Sequence, residues 1–341
     1  MTYQLLGITV LWIFLFGYMI VASIDFGAGF FSYYSTLTGK KSLIHGVIER
    51  YLSPVWEVTN VFLVFFMVGI VGFFPDSAYY LGTSLLLPGS FAIVLLAIRG
   101  SYYAFSNYGS KDNKFYLFLY GASGLLIPAS LSTVLTISEG GFIEVTGGKV
   151  KLLYGTLFTS PYSWAVVLLA LVSVLYISAT FLTYYAAKAK DLSALTVLRK
   201  YALAWSMPTI FASLLVFFAI QKHNPEHFQS MLDYSWMFVL SLLCFIGAFY
   251  LIWRERSYGW AFLLVMIQFA LAFFGYGVSH LPSIIYPYIH LYDNFTNRTM
   301  ALYLIGAFLA GLLLLIPSIY LIMRLFLFNA SYVEGTKPKK G

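Results

Sequence analysis

The sequence predicts an all-α integral membrane protein of nine transmembrane helices, with the N-terminus outside and the C-terminus inside. Three observations carry that prediction. Of 341 residues, 60% are hydrophobic and 10% charged, whereas soluble domains run about 45–50% apolar and about 25% charged. Nine apolar runs are long enough to cross a hydrocarbon layer that takes about 20 helical residues. The basic residues then fall on alternate connecting segments, as the positive-inside bias requires. Strand alternation is absent from the runs, which leaves helices as the spanning structure.

Taken in order, the runs are Leu5–Tyr33, Pro54–Phe74, Ala78–Tyr102, Phe115–Ile137, Tyr162–Ala187, Ala202–Ile220, Tyr234–Trp253, Tyr258–Val278 and Met300–Phe328. The first is not a cleavable signal, because it lacks a basic start, is too long and carries Asp25. With the N-terminus outside, only Lys149, Lys151, Lys222 and Arg298 lie in outward segments, and the other sixteen of the 20 Lys and Arg lie at inward ones. The net charge of +7 therefore reads as topology, and no nucleic-acid partner is expected. Residues 1–330 form one polytopic domain, readable as bundles 1–137 and 162–278 plus a last helix at 300–328. Residues 331–341, with Lys337, Lys339 and Lys340, read as a basic cytoplasmic tail beside anionic headgroups. The longest outward loop, Ser138–Pro161, leaves no room for an extramembrane catalytic domain.

Redox and metal chemistry find few ligands. Cys244 is the single cysteine, so an internal disulfide, a thiolate zinc cluster and a cysteine-held iron–sulfur centre are excluded. None of His45, His223, His227, His280 and His290 is mid-span, and no span carries paired haem ligands. His223 and His227 have a metal-like spacing, but one such pair is a weak signal and reads equally as a solvent-facing polar loop. The expectation is no haem ligand and no metal in this chain.

Two acids fall inside spans, where an ionisable group is costly and marks a candidate function. Asp25 lies in helix one, roughly 13 Å from its inner end at 1.5 Å per residue. Glu57 lies one turn into the second run, where burial and the positive helix start pull its carboxyl in opposite directions. Both sit at inner-leaflet depth on adjacent antiparallel helices, which suits a proton relay fed from inside. Thr59, Asn60, Ser23 and Thr9 can supply hydroxyl or amide steps. The alternative is that both acids only hydrogen-bond across helices, or that Glu57 reaches the headgroups. Gly27 and Gly29 read as close helix packing. Arg99 reads as a snorkelling anchor at a lipid or subunit contact, or as the cation of a helix–helix pair. Pro88, Pro128, Pro208 and Pro317 are candidate kinks.

With these residues in place, the full length resembles subunit II of the cytochrome bd-type quinol oxidases. Asp25, Gly27 and Gly29 match the family's acidic Asp-x-Gly-x-Gly segment of helix one, with Ala22 where many members carry a preceding Asp. Trp56-Glu57 matches a Trp followed by Asp or Glu, and Asn60 to Leu63 replace a Gln-Val-Trp-Leu run. Arg99 corresponds to the Arg opening a further patch, but Gly100 and Ala104 depart from the Pro and Asp expected there. Tyr286-Pro287 and Leu291-Tyr292-Asp293 resemble the loop before a last helix containing Pro317. The departures point to a divergent branch nearer Gram-positive-type enzymes.

The resemblance implies a respiratory complex in the bacterial cytoplasmic membrane that oxidises quinol and reduces dioxygen to water. It places the b-type and d-type haems (or a b-type replacement) and the quinol site in subunit I. This chain would then bind no cofactor, pack against subunit I in lipid, and line a proton route through Trp56, Glu57 and Asp25. A single-span accessory subunit is left open, as is menaquinol against ubiquinol. Two other classes stand beside this one: a secondary transporter, which nine spans with buried acids would suit, and a purely structural scaffold subunit.

Overall fold

The computed structural model describes residues 2–108, 114–293, 295–322 and 324–325, without the side chains at 41–42, 50–58, 103–108, 114 and 322. Long apolar helices form where the sequence offers uninterrupted hydrophobic residues, because lipid obliges each span to satisfy its own backbone hydrogen bonds. The helices are α1 (Tyr3–Leu37), α2 (Lys41–Phe73), α3 (Pro75–Ser84), α4 (Leu86–Tyr108), α5 (Lys114–Leu131), α6 (Thr133–Ser138), α7 (Tyr154–Thr159), α8 (Pro161–Lys188), α9 (Leu192–His223), α10 (Pro225–Asp233), α11 (Ser235–Trp253), α12 (Tyr258–His280) and α13 (Arg298–Ile322). Two small antiparallel hairpins join them: β1 (Ile143–Thr146) with β2 (Lys149–Leu152), and β3 (Ser283–Ile285) with β4 (Ile289–His290).

Among the described residues, seven helical segments are long and apolar enough to cross a membrane, and up to eight if a bent pair counts as one. The protein is thus a multi-pass membrane protein. The third predicted run is not a straight rod. It divides into α3 and α4, which meet at an 80° bend; Leu85, between them, and Pro88, in the first turn of α4, mark the corner. The second run is also not bounded as the sequence suggested. The helix starts at Lys41, so the backbone of Glu57 sits about four turns inside α2. Pro54 lies inside the helix rather than at its start, so no helix start acts on Glu57. The side chains of Trp56 and Glu57 lie outside the described residues, as does the 331–341 tail.

α1 and α8 form the middle of the molecule. One apolar cluster joins Ile24, Ala28 and Phe31 of α1 to Leu175, Ile177, Phe181 and Leu182 of α8 and to Phe245, Ala248 and Val265 of α11 and α12. A second joins Leu11, Phe14 and Phe26 of α1 to Phe62, Phe73 and Phe308. The apolar segment of α8 is 67% buried and that of α13 only 11%, so α13 presents its sides outward. The close approach of α1 and α8 depends on Gly27, where an added Cβ would lie 2.3 Å from Ser178 Cβ. Ser178 uses that proximity to donate a hydrogen bond to the Ile24 carbonyl at 2.8 Å.

Segments that the charge pattern assigns to one side share one face. The β1–β2 hairpin, α10 and the 283–290 hairpin are packed together through Phe142, Ile143, Val150, Met231, Ile285 and Ile289. On the other face Lys40 lies over the Tyr201 ring, and Arg199 donates to the Ile252 and Trp253 carbonyls and pairs with Glu255.

Candidate functional site

The buried charge in α1 is held by a cation from α4. Arg99 Nε donates to Asp25 Oδ2 at 2.8 Å, and its Nη2 donates to the Asp25 backbone carbonyl. Nη1 donates to the Tyr120 carbonyl at 2.9 Å and reaches Ser123 Oγ at 3.4 Å. The guanidinium stacks 4.1 Å from the Tyr120 ring centroid and 5.3 Å from that of Phe26. Arg99 is 0% exposed and Asp25 2%. A snorkelling or partner-facing arginine would keep its head in water or at an interface; here the head lies inside this chain, on a carboxylate of its own fold. Two charges are tolerated so deep because each neutralises the other and the remaining donors are occupied.

Gly29 makes room for this arrangement. A Cβ there would lie 2.9 Å from both Nη1 and Nη2 of Arg99, so the glycine is the floor under the guanidinium. Of the other residues singled out by sequence, Ser23 and Thr59 are buried and Asn60 is half-buried. Thr9 donates to the Leu5 carbonyl at 2.6 Å, a bond within its own helix. Tyr120 and Ser123 were not singled out; their only sequence signal is their place in an apolar helix.

A second polar centre lies at the hairpin-bearing face, and sequence reasoning missed it. Glu139, just past α6, accepts from His227 of α10, with Nδ1 2.8 Å from Oε1. His280, the last residue of α12, brings its Nδ1 to 3.5 Å from the same oxygen. Tyr276 also donates to Oε1, and Asn224 Nδ2 donates to Oε2 at 3.0 Å. Burial by itself pushes the Glu139 carboxyl up. The hydrogen bond from His227, the charges of His280 and His227 and the Tyr276 hydroxyl outweigh it and hold the carboxyl below its usual range.

His223 does not join His227 in a ligand pair. Its ring packs against both Phe142 and Tyr162, and Nε2 lies 3.0 Å from the Gly140 carbonyl. His227 is buried, so the segment is not the solvent-facing loop its polarity suggested. Helix α9 ends at His223, and the Asn224 side chain caps α10 at His227, so the two histidines sit on different helices. Among the described histidines, none faces another across a span in the manner of haem ligands.

Comparison with known proteins agrees with the resemblance read from the motifs. A family model described as cytochrome bd terminal oxidase subunit II matches residues 3–326. A putative cytochrome bd menaquinol oxidase subunit II from Bacillus subtilis (strain 168) is 32% identical over 341 residues, 98% of each chain. A chain in the structure of bd oxidase from Geobacillus thermodenitrificans is 61% identical, with a TM-score of 0.85, over 96% of this chain and 100% of that one. This chain belongs to the cytochrome bd terminal oxidase subunit II family.

Proposed function

We propose that the chain is the second large subunit of a quinol oxidase complex of the bacterial cytoplasmic membrane. In this reading it spans the membrane nine times with its N-terminus outside. It stabilises the haem-bearing subunit I and lines a proton route from the inner side. The full-length likeness to bd oxidase subunits carries the reading. The b-type and d-type haems (or a b-type replacement) and the quinol site then belong to the partner, whose electrons reduce dioxygen to water.

Each dioxygen reduced to two waters consumes four protons, and energy is conserved only if these come from inside. Glu57 is the proposed entrance, with Trp56 beside it and Thr59, Asn60 and Ser23 as hydroxyl or amide steps. Asp25 supports the route from the neighbouring helix. Its contact with Arg99 makes it a fixed charge in the wall rather than a free carrier, because a proton taken up there would leave the guanidinium buried without its counter-charge.

Purification of the tagged chain from membranes tests the assembly: a partner with haem absorption is expected, and a haem-free monomer overturns it. In assembled complex, Glu57→Gln should slow oxygen consumption and inner-side proton uptake together. Wild-type rates for both would remove the proton role and leave the scaffold role.

A further inference from the structure

Glu139, His227 and His280 come from three elements far apart in sequence and converge on one point. Each offers a ligand atom, and these atoms lie within 4.8 Å of one another. A tetrahedral zinc ion with bonds of about 2.0–2.2 Å to nitrogen and oxygen sets its ligands roughly 3.3–3.5 Å apart. The two separations from Glu139 Oε1, 2.8 Å to His227 Nδ1 and 3.5 Å to His280 Nδ1, bracket that spacing. Two imidazoles and a carboxylate are also the donor set that such an ion takes.

The surroundings orient these groups as ligand supports do. The Ser279 hydroxyl donates to the Tyr276 carbonyl at 2.9 Å, so its oxygen is set to accept from His227 Nε2, 2.9 Å away. Without an ion His227 Nδ1 is hydrogen-bonded to Glu139 Oε1; a bound metal ion would displace that proton to solvent and take the Nδ1 lone pair, while Nε2–H keeps its bond to Ser279. Asn224 holds Oε2 of the carboxylate, leaving Oε1 as the convergent atom. His280 Nε2 is buried without a hydrogen-bond partner, and the ring is held by stacking on Tyr276 and by edge contact with His227. Among the described residues, Glu139 is paired with these histidines and with no Lys or Arg. A buried carboxylate calls for a cation, and none of fixed charge faces it among the described residues.

We propose that Glu139, His227 and His280 form a binding site for a divalent metal ion of the zinc class, with the Tyr276 hydroxyl or a water as fourth ligand. The site replaces the sequence expectation that this chain holds no metal. It ties the loop after α6 to α10 and α12, so its role is to lock the hairpin-bearing face. It is independent of the proton route and of the partner's haems.

Zinc itself is the probe. The tagged chain, with whatever copurifies, is dialysed against a chelator, loaded with zinc chloride, desalted and assayed for zinc per chain by mass spectrometry. Wild type and His290→Ala should retain close to one zinc, while His227→Gln and His280→Gln retain less than a tenth. X-ray absorption at the zinc edge of the wild-type protein should show nitrogen and oxygen at about 2.0–2.2 Å with imidazole scattering. This second measurement serves even if the variants fail to fold. No retained zinc in wild type overturns the site, as does equal retention in the two glutamine variants or loss in His290→Ala. In that event a protonated histidine is the counter-ion of Glu139.

Discussion

Arg99 Nε lies 2.8 Å from Asp25 Oδ2, a buried ion pair between residues 74 positions apart. The pair joins α1 to α4, and the same guanidinium reaches the Tyr120 carbonyl of α5. One side chain thus locks three helices beside the face where α8 packs on Gly27. It is also what separates Asp25 from an ordinary membrane carboxylate: its charge has a structural use before any other.

Arg99→Met should destabilise the assembled protein by about 3–5 kcal/mol, since it leaves a buried carboxylate without its cation. The double variant Asp25→Asn/Arg99→Met should recover much of the loss, because no uncompensated charge remains. Thermal unfolding of the purified complex reads both. Purely additive losses in the double variant would show that the pair has no coupling.

The glycines divide by what faces them. Gly27→Ala and Gly124→Ala would place a Cβ 2.3 Å from Ser178 Cβ and 2.2 Å from the Phe26 carbonyl oxygen, and each should cost about 1–3 kcal/mol through overpacking. Gly306 has nothing within 4 Å of the Cβ position, so Gly306→Ala should be neutral or slightly stabilising. The same thermal assay checks the order, and a Gly306→Ala loss matching the other two would refute this packing account.

Cysteines introduced in 138–161 and after Ala330 should label from opposite sides of the membrane, the former from outside. The basic residues motivate the orientation, and the packing of 143–152 with α10 and 283–290 groups the outward segments. Labelling of both sites from one side would sink the nine-span topology.

Cys244→Ser and His223→Ala should leave the haem spectra of the complex unchanged. They should differ in stability, because the His223 ring packs on both Phe142 and Tyr162 at centroid distances of 5.0 and 4.9 Å. Loss of a haem band without loss of assembly would contradict the ligand assignment.

Glu57→Asp should keep far more turnover than Glu57→Gln, since it shortens the carboxyl without abolishing it. A positioned proton-transfer group is worth roughly 10²–10⁴-fold in rate, and water can replace an entrance group in part, so the lower end is expected. Oxygen consumption with excess reduced quinone, normalised to haem, distinguishes them. Equal loss in both variants would mean that the position needs the full glutamate shape rather than a carboxyl.

The membrane class, the approximate place of the apolar runs and the family were legible in the residues before any packing was known. These are local or compositional properties: a run of apolar residues has the same transfer free energy whatever it packs against, and a motif such as Trp56-Glu57 is contiguous. Asp25, Gly27 and Gly29 were legible for the same reason, as unusual residues within one helix.

The tertiary structure decided everything that depends on how helices are rotated and set against each other. Arg99 sits near one end of its run, where a lipid anchor is the ordinary use of an arginine, and only the packing of α1, α4 and α5 turns it onto Asp25. Pro54 looked like a helix start, yet α2 runs through it, and the third run, read as one span, bends at Leu85. Glu139, His227 and His280 share no spacing at all, being 88 and 53 positions apart, and their oxygen and nitrogens meet because the ends of α6, α10 and α12 are packed on one apolar cluster. Hydrophobicity places a helix in the membrane, but its rotation and depth follow from close contacts such as Gly27 on Ser178, which are long-range in sequence and fixed only when the whole bundle is packed.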